Sequence, residues 1–295
     1  MPKQNRVLSG VIAILLVMAI YAANFVAARY SILNGLTSLD LVALRFFVAG
    51  LIMLPSFCRL GLSDLGGLGW PRASLLACLA GAPYMVVFLF GLNFAPASHG
   101  AVLNPGIVPS VVFIGMVFLR LQSFSLKRLI SLLSITLGVV FVTASSFSLQ
   151  GAVLFGDLLL LGSGVSWGLF TLLTKLWALK PIQSAAIVSV ISLLYIPPYL
   201  LFLYDGFEGV AIAHVVSQAI FQGIVMSIGT IYLLTYAVQC LDAQLTALFS
   251  PLVPVLTTLM AISLLGEIPT SIQVTGIILV VLGMLSVARL KSASD

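Results

Sequence analysis

Apolar residues run through this chain in blocks longer than a soluble core requires, and the blocks recur with short polar gaps. A helix of about 20 apolar residues crosses a hydrocarbon layer of roughly 30 Å. On that scale the pattern predicts ten spans, at residues 7–29, 38–58, 72–93, 99–119, 126–145, 152–174, 183–203, 214–237, 243–265 and 271–289. The expected architecture is all-α and integral to a membrane. Two stretches, AVLNPGIVPSVVFIGMVFLRLQ from Ala101 and ALFSPLVPVLTTLMAISLLGE from Ala247, carry paired prolines. Proline lacks an amide donor and clashes with the carbonyl four residues back, so Pro251 and Pro254 are expected to free the carbonyls of Ala247 and Ser250. Lipid cannot satisfy such groups. Both helices are therefore expected to break where they face protein or water, as site helices of transporters do.

Composition agrees, at 61% hydrophobic and 7% charged residues, far from soluble averages. Ten helices leave no room for a soluble catalytic domain. Lys3 and Arg6 before an apolar run mimic a secretory signal, but the run outlasts an h-region and reads as a retained helix. The net charge of +5 is explained by placement rather than by nucleic acid. With the N-terminus inside, Lys3, Arg6, Arg59, Arg72, Arg120, Lys127, Arg128, Lys175, Lys180, Arg289 and Lys291 share the cytoplasmic side, and only Arg29 lies opposite, with Asp205 and Glu208. This bias places both termini in the cytoplasm of a cell whose inner (plasma) membrane the chain crosses. Cys58, Cys78 and Cys240 are scattered and read as packing residues.

The two proline stretches suggest a repeat. A shift of 145 residues brings Pro109 onto Pro254, and the same shift pairs Gln122 with Glu267, Ser125 with Thr270, Gly138 with Gly283, Phe25 with Phe170, Ala22 with Trp167 and Ala23 with Gly168. Tyr84 meets Tyr232 at a shift of 148, and Arg45 meets Val190. Residues 1–148 and 149–295 thus form two halves of five helices each. Five is odd, so the second half enters the membrane from the other side, and the expected fold is a 5+5 inverted repeat that serves alternating access.

The 5+5 order, AANFVAAR at Ala22 to Arg29, WGLFTLLTK at Trp167 to Lys175, Arg45 early in the second span, and LLGEIPT at Leu264 to Thr270 resemble the EamA-like transporters of the drug/metabolite transporter superfamily. The resemblance covers about residues 7–290. It implies ten helices in an inverted fold and export of small metabolites, often amino acids. Ala22 and Ala23 stand where that family usually has Trp-Gly, and Gln122 where it usually has Glu.

Polar residues within the spans nominate a site, because a polar stripe on a membrane helix faces the bundle or a cavity. Ser163, Trp167, Thr171 and Thr174 share one face of the sixth span, and Tyr21, Asn24 and Ala28 one face of the first. Gly81, Tyr84, Phe88 and Gly91 in the third span, with Gln222, Met226, Gly229, Thr230 and Tyr232 in the eighth, can line an aromatic pocket or pack closely through glycine. Asn104 and Ser250 sit beside prolines. The expected substrate-binding set is Asn24, Tyr84, Asn104, Trp167, Tyr232 and Ser250. Arg45, Glu267 and His99 are expected at gates or structural ion contacts, with Asp40, Glu267 or a substrate carboxylate as the partner of Arg45. None of the eight acidic residues lies mid-span, and Asp157 comes closest, so facilitated movement is expected.

Rival chemistry is weak. Gly164-Val-Ser-Trp-Gly168 matches the hydrolase pattern G-x-S-x-G but has no strand-turn-helix elbow and no adjacent base, and reads as small residues that let helices approach. HExxH, CxxC, GxGxxG and P-loop patterns are absent, so no metal or cofactor is expected. Ser131 with Gly276 and Gly138 with Gly283 fit close packing of the fifth and tenth helices, at the bundle edge or in a dimer, so the chain is a monomer or homodimer. The resulting expectation is export of neutral or aromatic amino acids. A proton-coupled drug or metabolite exporter and an anion or sugar-nucleotide exchanger are the transport alternatives, and a scaffold or membrane enzyme the alternative of another class.

Overall fold

The computed structural model describes residues 3–121, 126–146, 151–241 and 249–292, and among them the regular structure is helical, without strands. In chain order we label α1 (Lys3–Leu33), α2 (Ser38–Cys58), α3 (Trp70–Phe94), α4 (Ala97–Phe118), α5 (Leu126–Ser146), α6 (Gly151–Leu176), α7 (Pro181–Phe202), α8 (212–241), α9 (Leu252–Leu265) and α10 (Ser271–Ser292). Seven of these, α1 to α4 and α6 to α8, are long and apolar enough to cross a membrane. Shorter apolar helices lie at Leu129–Val142, Leu252–Leu265 and Ser271–Ser286.

The two halves are related by contacts that a two-fold axis demands. A Cβ on Gly138 would lie 2.5 Å from the carbonyl oxygen of Gly276, and one on Gly283 would lie 2.8 Å from that of Ser131. Under the 145-residue shift Gly138 corresponds to Gly283 and Ser131 to Gly276, so each contact is the image of the other, the signature of an isologous pair. Since Gly138 meets Gly276 while Ser131 meets Gly283, α5 and α10 run antiparallel, and the axis lies across the helices. Small residues permit this approach, and the Ser134 hydroxyl ties it by donating to the Leu279 carbonyl at 2.9 Å. The close packing expected at these positions is thus made within one chain.

Backbone irregularity inside the described spans falls on the third helix of each half and on α7, which passes through a 3₁₀ turn at Ser192–Tyr195. Within α3 the helix is interrupted at Gly81 (φ −92°, ψ −147°), and Pro83 opens its second part. Pro83 leaves the Leu79 carbonyl without its helical donor; the Ser166 hydroxyl of α6 supplies one at 2.8 Å, and the Ala82 amide donates to Ser192 Oγ at 3.0 Å. Ser166 of the G-x-S-x-G stretch therefore serves the backbone. A Cβ on Gly81 would lie 2.2 Å from Ser192 Oγ, so glycine is required for this approach. The shift of 148 that pairs Tyr84 with Tyr232 maps Gly81 onto Gly229, the last residue of the π-helical stretch Phe221–Gly229 of α8, a backbone form concentrated at functional sites.

The expectation of a broken helix is corrected for the first proline stretch; at the second, residues 249–251 form a turn ahead of α9, and residues 242–248 lie outside the described ones. Pro105 and Pro109 lie inside a continuous α4. Pro251 is the N-cap of α9 and Pro254 stands in its first turn, where a missing amide costs nothing because those donors have no intrahelical partner. The Ser250 carbonyl accepts from the Val253 amide at 3.1 Å rather than being freed. Ala247, Gln122 and Ser125 lie outside the described residues.

Candidate functional site

A cavity of about 460 Å³ lies between the halves, walled by α1, α2, α3, α4, α6, α7, α8, α9 and α10. Asn24, Tyr84, Asn104, Trp167 and Ser250 all line it, and so does Arg45. Tyr232 also stands on α8, but its side chain lies outside the described residues. The structure thus gathers five of the six nominated residues, from four different helices and the turn before α9, around one space.

One wall is aromatic. Phe25, Phe88, Tyr84, Trp167 and Phe170 follow one another with centroid separations of 5.5, 6.2, 5.4 and 5.1 Å. The row begins at Phe25 and ends at Phe170, which the repeat pairs with each other. Such offset and tilted contacts present π faces to a flat ligand. Trp167 keeps 38% of its surface exposed, so the ring is open to the cavity rather than packed away. Asn104 anchors the polar edge of this row by donating to Ser163 Oγ at 2.8 Å and, at the long limit of 3.5 Å, to the Tyr84 hydroxyl. Gly164 makes that possible, since a Cβ there would lie 2.5 Å from the Asn104 carbonyl oxygen. Thr171 and Thr174, expected on the same face as Trp167, spend their hydroxyls on carbonyls of their own helix.

Polar groups line the cavity as well. Arg45 donates to Gln222 Oε1 at 3.2 Å, and Gln222 is only 1% exposed. Gln222 sits on the π-helical stretch of α8 and holds the guanidinium from behind, leaving donors toward the cavity. Asn24, 6% exposed, has an Oδ1 without a hydrogen-bond partner among the described residues. An unmatched buried acceptor on a cavity wall is the place where a ligand donor gains most. The cavity therefore offers a cation, an acceptor and an aromatic face.

Arg45 does not pair with Asp40 or Glu267. Asp40 caps α2 with Thr37 and accepts from the Tyr199 hydroxyl. Glu267 instead forms a clasp with Arg29, which the sequence showed only as the exception to the charge bias. Arg29 Nε meets Glu267 Oε1 at 3.2 Å, Arg29 also donates to the carbonyls of Leu92 and Asn93, and Glu267 Oε2 accepts from the Ala97 amide at 2.8 Å. This clasp joins α1, the end of α3, the start of α4 and the α9–α10 turn. Next to it, buried His99 bridges Asp157 and Gln273. At the other end of the bundle the Arg72 guanidinium lies 5.4 Å from the Trp177 ring centre, and Gln183 donates to the Leu65 carbonyl. The cavity, reaching Pro181 and Ser250, extends from behind the Arg29 clasp toward that end. Sequence reasoning missed Arg29, Gln273 and the aromatic roles of Phe25 and Phe170; the Phe25–Phe170 repeat pairing was the available signal for the last two.

Known proteins resemble this chain along nearly its whole length. The model of the EamA-like transporter family matches residues 8–144 and 154–289. A protein of Archaeoglobus fulgidus named "Uncharacterized transporter" is 26% identical over 279 residues, covering 91% of this chain and 93% of the relative. A protein of known crystal structure shares the fold at a TM-score of 0.60 and 17% identity, over 99% of this chain and 100% of that one. With two successive family matches over both halves, and a cavity formed between them, the chain belongs to the EamA-like transporter family.

Proposed function

We propose that this transporter exports neutral or aromatic amino acids by alternating access. Its five-helix halves, 1–148 and 149–295, would form ten membrane helices with both termini in the cytoplasm of an inner membrane, a topology supported by the charge bias. The observation that carries the substrate reading is the lining of the cavity, which brings Arg45, Asn24 and the row from Phe25 to Phe170 around one space: on this reading Arg45 would meet a substrate carboxylate, Asn24 an ammonium group, and the aromatic row an apolar or aromatic side chain. Ser250 and Asn104 add polar edges. One cation in the wall suits a single carboxylate better than a phosphate, which calls for several. The pseudo-two-fold axis supports alternating access, because it allows the two halves to exchange conformations about a shared site.

In proteoliposomes, counterflow is expected for leucine, phenylalanine and tryptophan, and not for nucleosides, sugars or amines. Exchange of an anion in a panel where no amino acid exchanges contradicts the reading. Tyr84→Ala and Trp167→Ala each remove a ring from the row, and a lost aromatic contact changes affinity by roughly 3- to 10-fold. A raised KM for phenylalanine is expected in both, and full retention of affinity removes these residues from the site.

A further inference from the structure

His99 is 1% exposed and its partner Asp157 0%, and neither belongs to the cavity wall. Their protonation state can be read from a neighbouring helix cap. Thr270 and Gln273 form a capping box at the start of α10: the Thr270 amide donates to Gln273 Oε1 at 2.7 Å, and the Gln273 amide donates to Thr270 Oγ1 at 3.3 Å. The cap assigns Oε1 as the acceptor, so the other end of the Gln273 amide is an NH₂ group, which can only donate. That group lies 2.6 Å from His99 Nε2. Nε2 must accept, so His99 is neutral, with its proton on Nδ1, donated to Asp157 Oδ1 at 2.8 Å.

A second proton has one place to go on the ring, Nε2. That proton sets N–H against N–H at Gln273 and turns the α4–α10 contact from attractive to repulsive. Imidazole is the side chain whose ordinary titration spans roughly pH 5 to 8. The other charged or titratable groups at this end are Glu267, on the Ala97 amide two residues before His99, Arg29, which pairs with it, Asp40 in the cap of α2, Asp205 and Glu208 between α7 and α8, and His214, whose ring lies 5.7 Å from that of Tyr30. Gln273 is uncharged, and the ends of α3 and α5 bring no titratable side chain here. The repeat shift maps Asp157 onto Ile12 and His99 onto Gln244, so the sequence does not repeat the pair.

We propose that His99, held between Asp157 and Gln273, is a proton-binding site, and that its occupancy releases the Arg29–Glu267 end of the bundle. The ligand is a proton from the compartment that this end faces. The site makes transport proton-coupled, in place of the facilitated movement expected from the lack of a mid-helix carboxylate. The proposal rests on the alternating-access reading, but its test needs no substrate. Ser98, 5% exposed beside His99, is replaced by cysteine in a background where Cys58, Cys78 and Cys240 are serine. The reconstituted protein is labelled with a membrane-impermeant maleimide, and rates are corrected for thiol ionisation with a free thiol.

Loss of one buried hydrogen bond shifts a two-state equilibrium by about fivefold, so labelling is expected to be at least about fivefold faster at roughly pH 5.5 than at roughly pH 8. His99→Gln, which keeps hydrogen-bonding groups but does not titrate in this range, is expected to flatten the ratio to about one. Gln273→Glu keeps the capping box and gives the imidazolium an acceptor, and is expected to reverse the trend; it carries the test if His99→Gln does not fold. A flat ratio in the parent protein, or an unchanged ratio in either variant, overturns the proposal. Amino-acid counterflow with flat labelling sinks the proton site alone, whereas pH-dependent labelling without amino-acid counterflow sinks the substrate reading alone.

Discussion

Arg45→Met is expected to lower the uptake efficiency of neutral amino acids by roughly 10- to 100-fold, the weight of a charge-assisted hydrogen bond to a carboxylate. Methionine keeps much of the length and apolar stem of arginine, so the fold should persist. Arg45 lines the cavity and spends one contact on Gln222, while the Arg29–Glu267 clasp does not involve it. A gating role would leave affinity unchanged and alter only turnover. Reconstituted uptake at varied substrate concentration separates the two: the account requires a raised KM for amino acids, and an unchanged KM with a lowered rate returns Arg45 to the gates. Gln222→Ala is expected to act in the same direction but more weakly, since it leaves the charge in place and loosens its aim.

Gly138→Leu is the second large effect, and it falls on assembly of the halves. A Cβ at this position would stand 2.5 Å from the Gly276 carbonyl oxygen and 2.7 Å from Val280 Cγ2. The first of these is backbone in a helix, which cannot step aside as a side-chain end can. The antiparallel α5–α10 pair must separate, at a cost of about 1–3 kcal/mol or more for an overpacked site. The measurement is thermal unfolding in detergent, with Gly162→Leu as the control, because nothing lies within 4 Å of a Cβ there. A marked fall in Tm for Gly138→Leu and little change for Gly162→Leu is expected; equal behaviour contradicts the packing argument.

Much of the fold was legible because membrane helices declare themselves by length, and because one shift aligned residues as far apart as Phe25 with Phe170 and Gly138 with Gly283. In the first half the prolines misled, since Pro105 and Pro109 lie inside a continuous α4, whereas the interruption used Gly81 and Pro83, with Ser166 and Ser192 from two other helices satisfying the backbone. The first half of that signal stood in the sequence as Gly-Ala-Pro; the second was a matter of packing. The π-helical stretch of α8 has no proline at all, and nothing local in the sequence marked it.

The site was legible helix by helix and opaque between helices. Stripes at helical spacing put Asn24, Tyr84 and Trp167 on inward faces, and those residues do line one cavity. Arg29 and Glu267, 238 positions apart, meet through helix order that no local pattern reveals, so Glu267 stood among three candidate partners of Arg45 and not with Arg29. His99 and Gln273 are likewise 174 positions apart. Their meaning rests on a capping box that names the amide end facing the imidazole, a detail visible only once the helices are packed.

The central claim, that one cavity holds both ends of a zwitterion beside an aromatic face, is tested most directly by counterflow with three ligands of one shape. Phenylalanine carries both charges, phenethylamine lacks the carboxylate and 3-phenylpropionate lacks the ammonium group. The account predicts exchange of phenylalanine, with the other two slower by roughly tenfold or more, because each leaves Arg45 or Asn24 without its partner. Equal exchange of all three would mean that the ring alone is recognised, and exchange of phenethylamine alone would contradict the carboxylate role of Arg45.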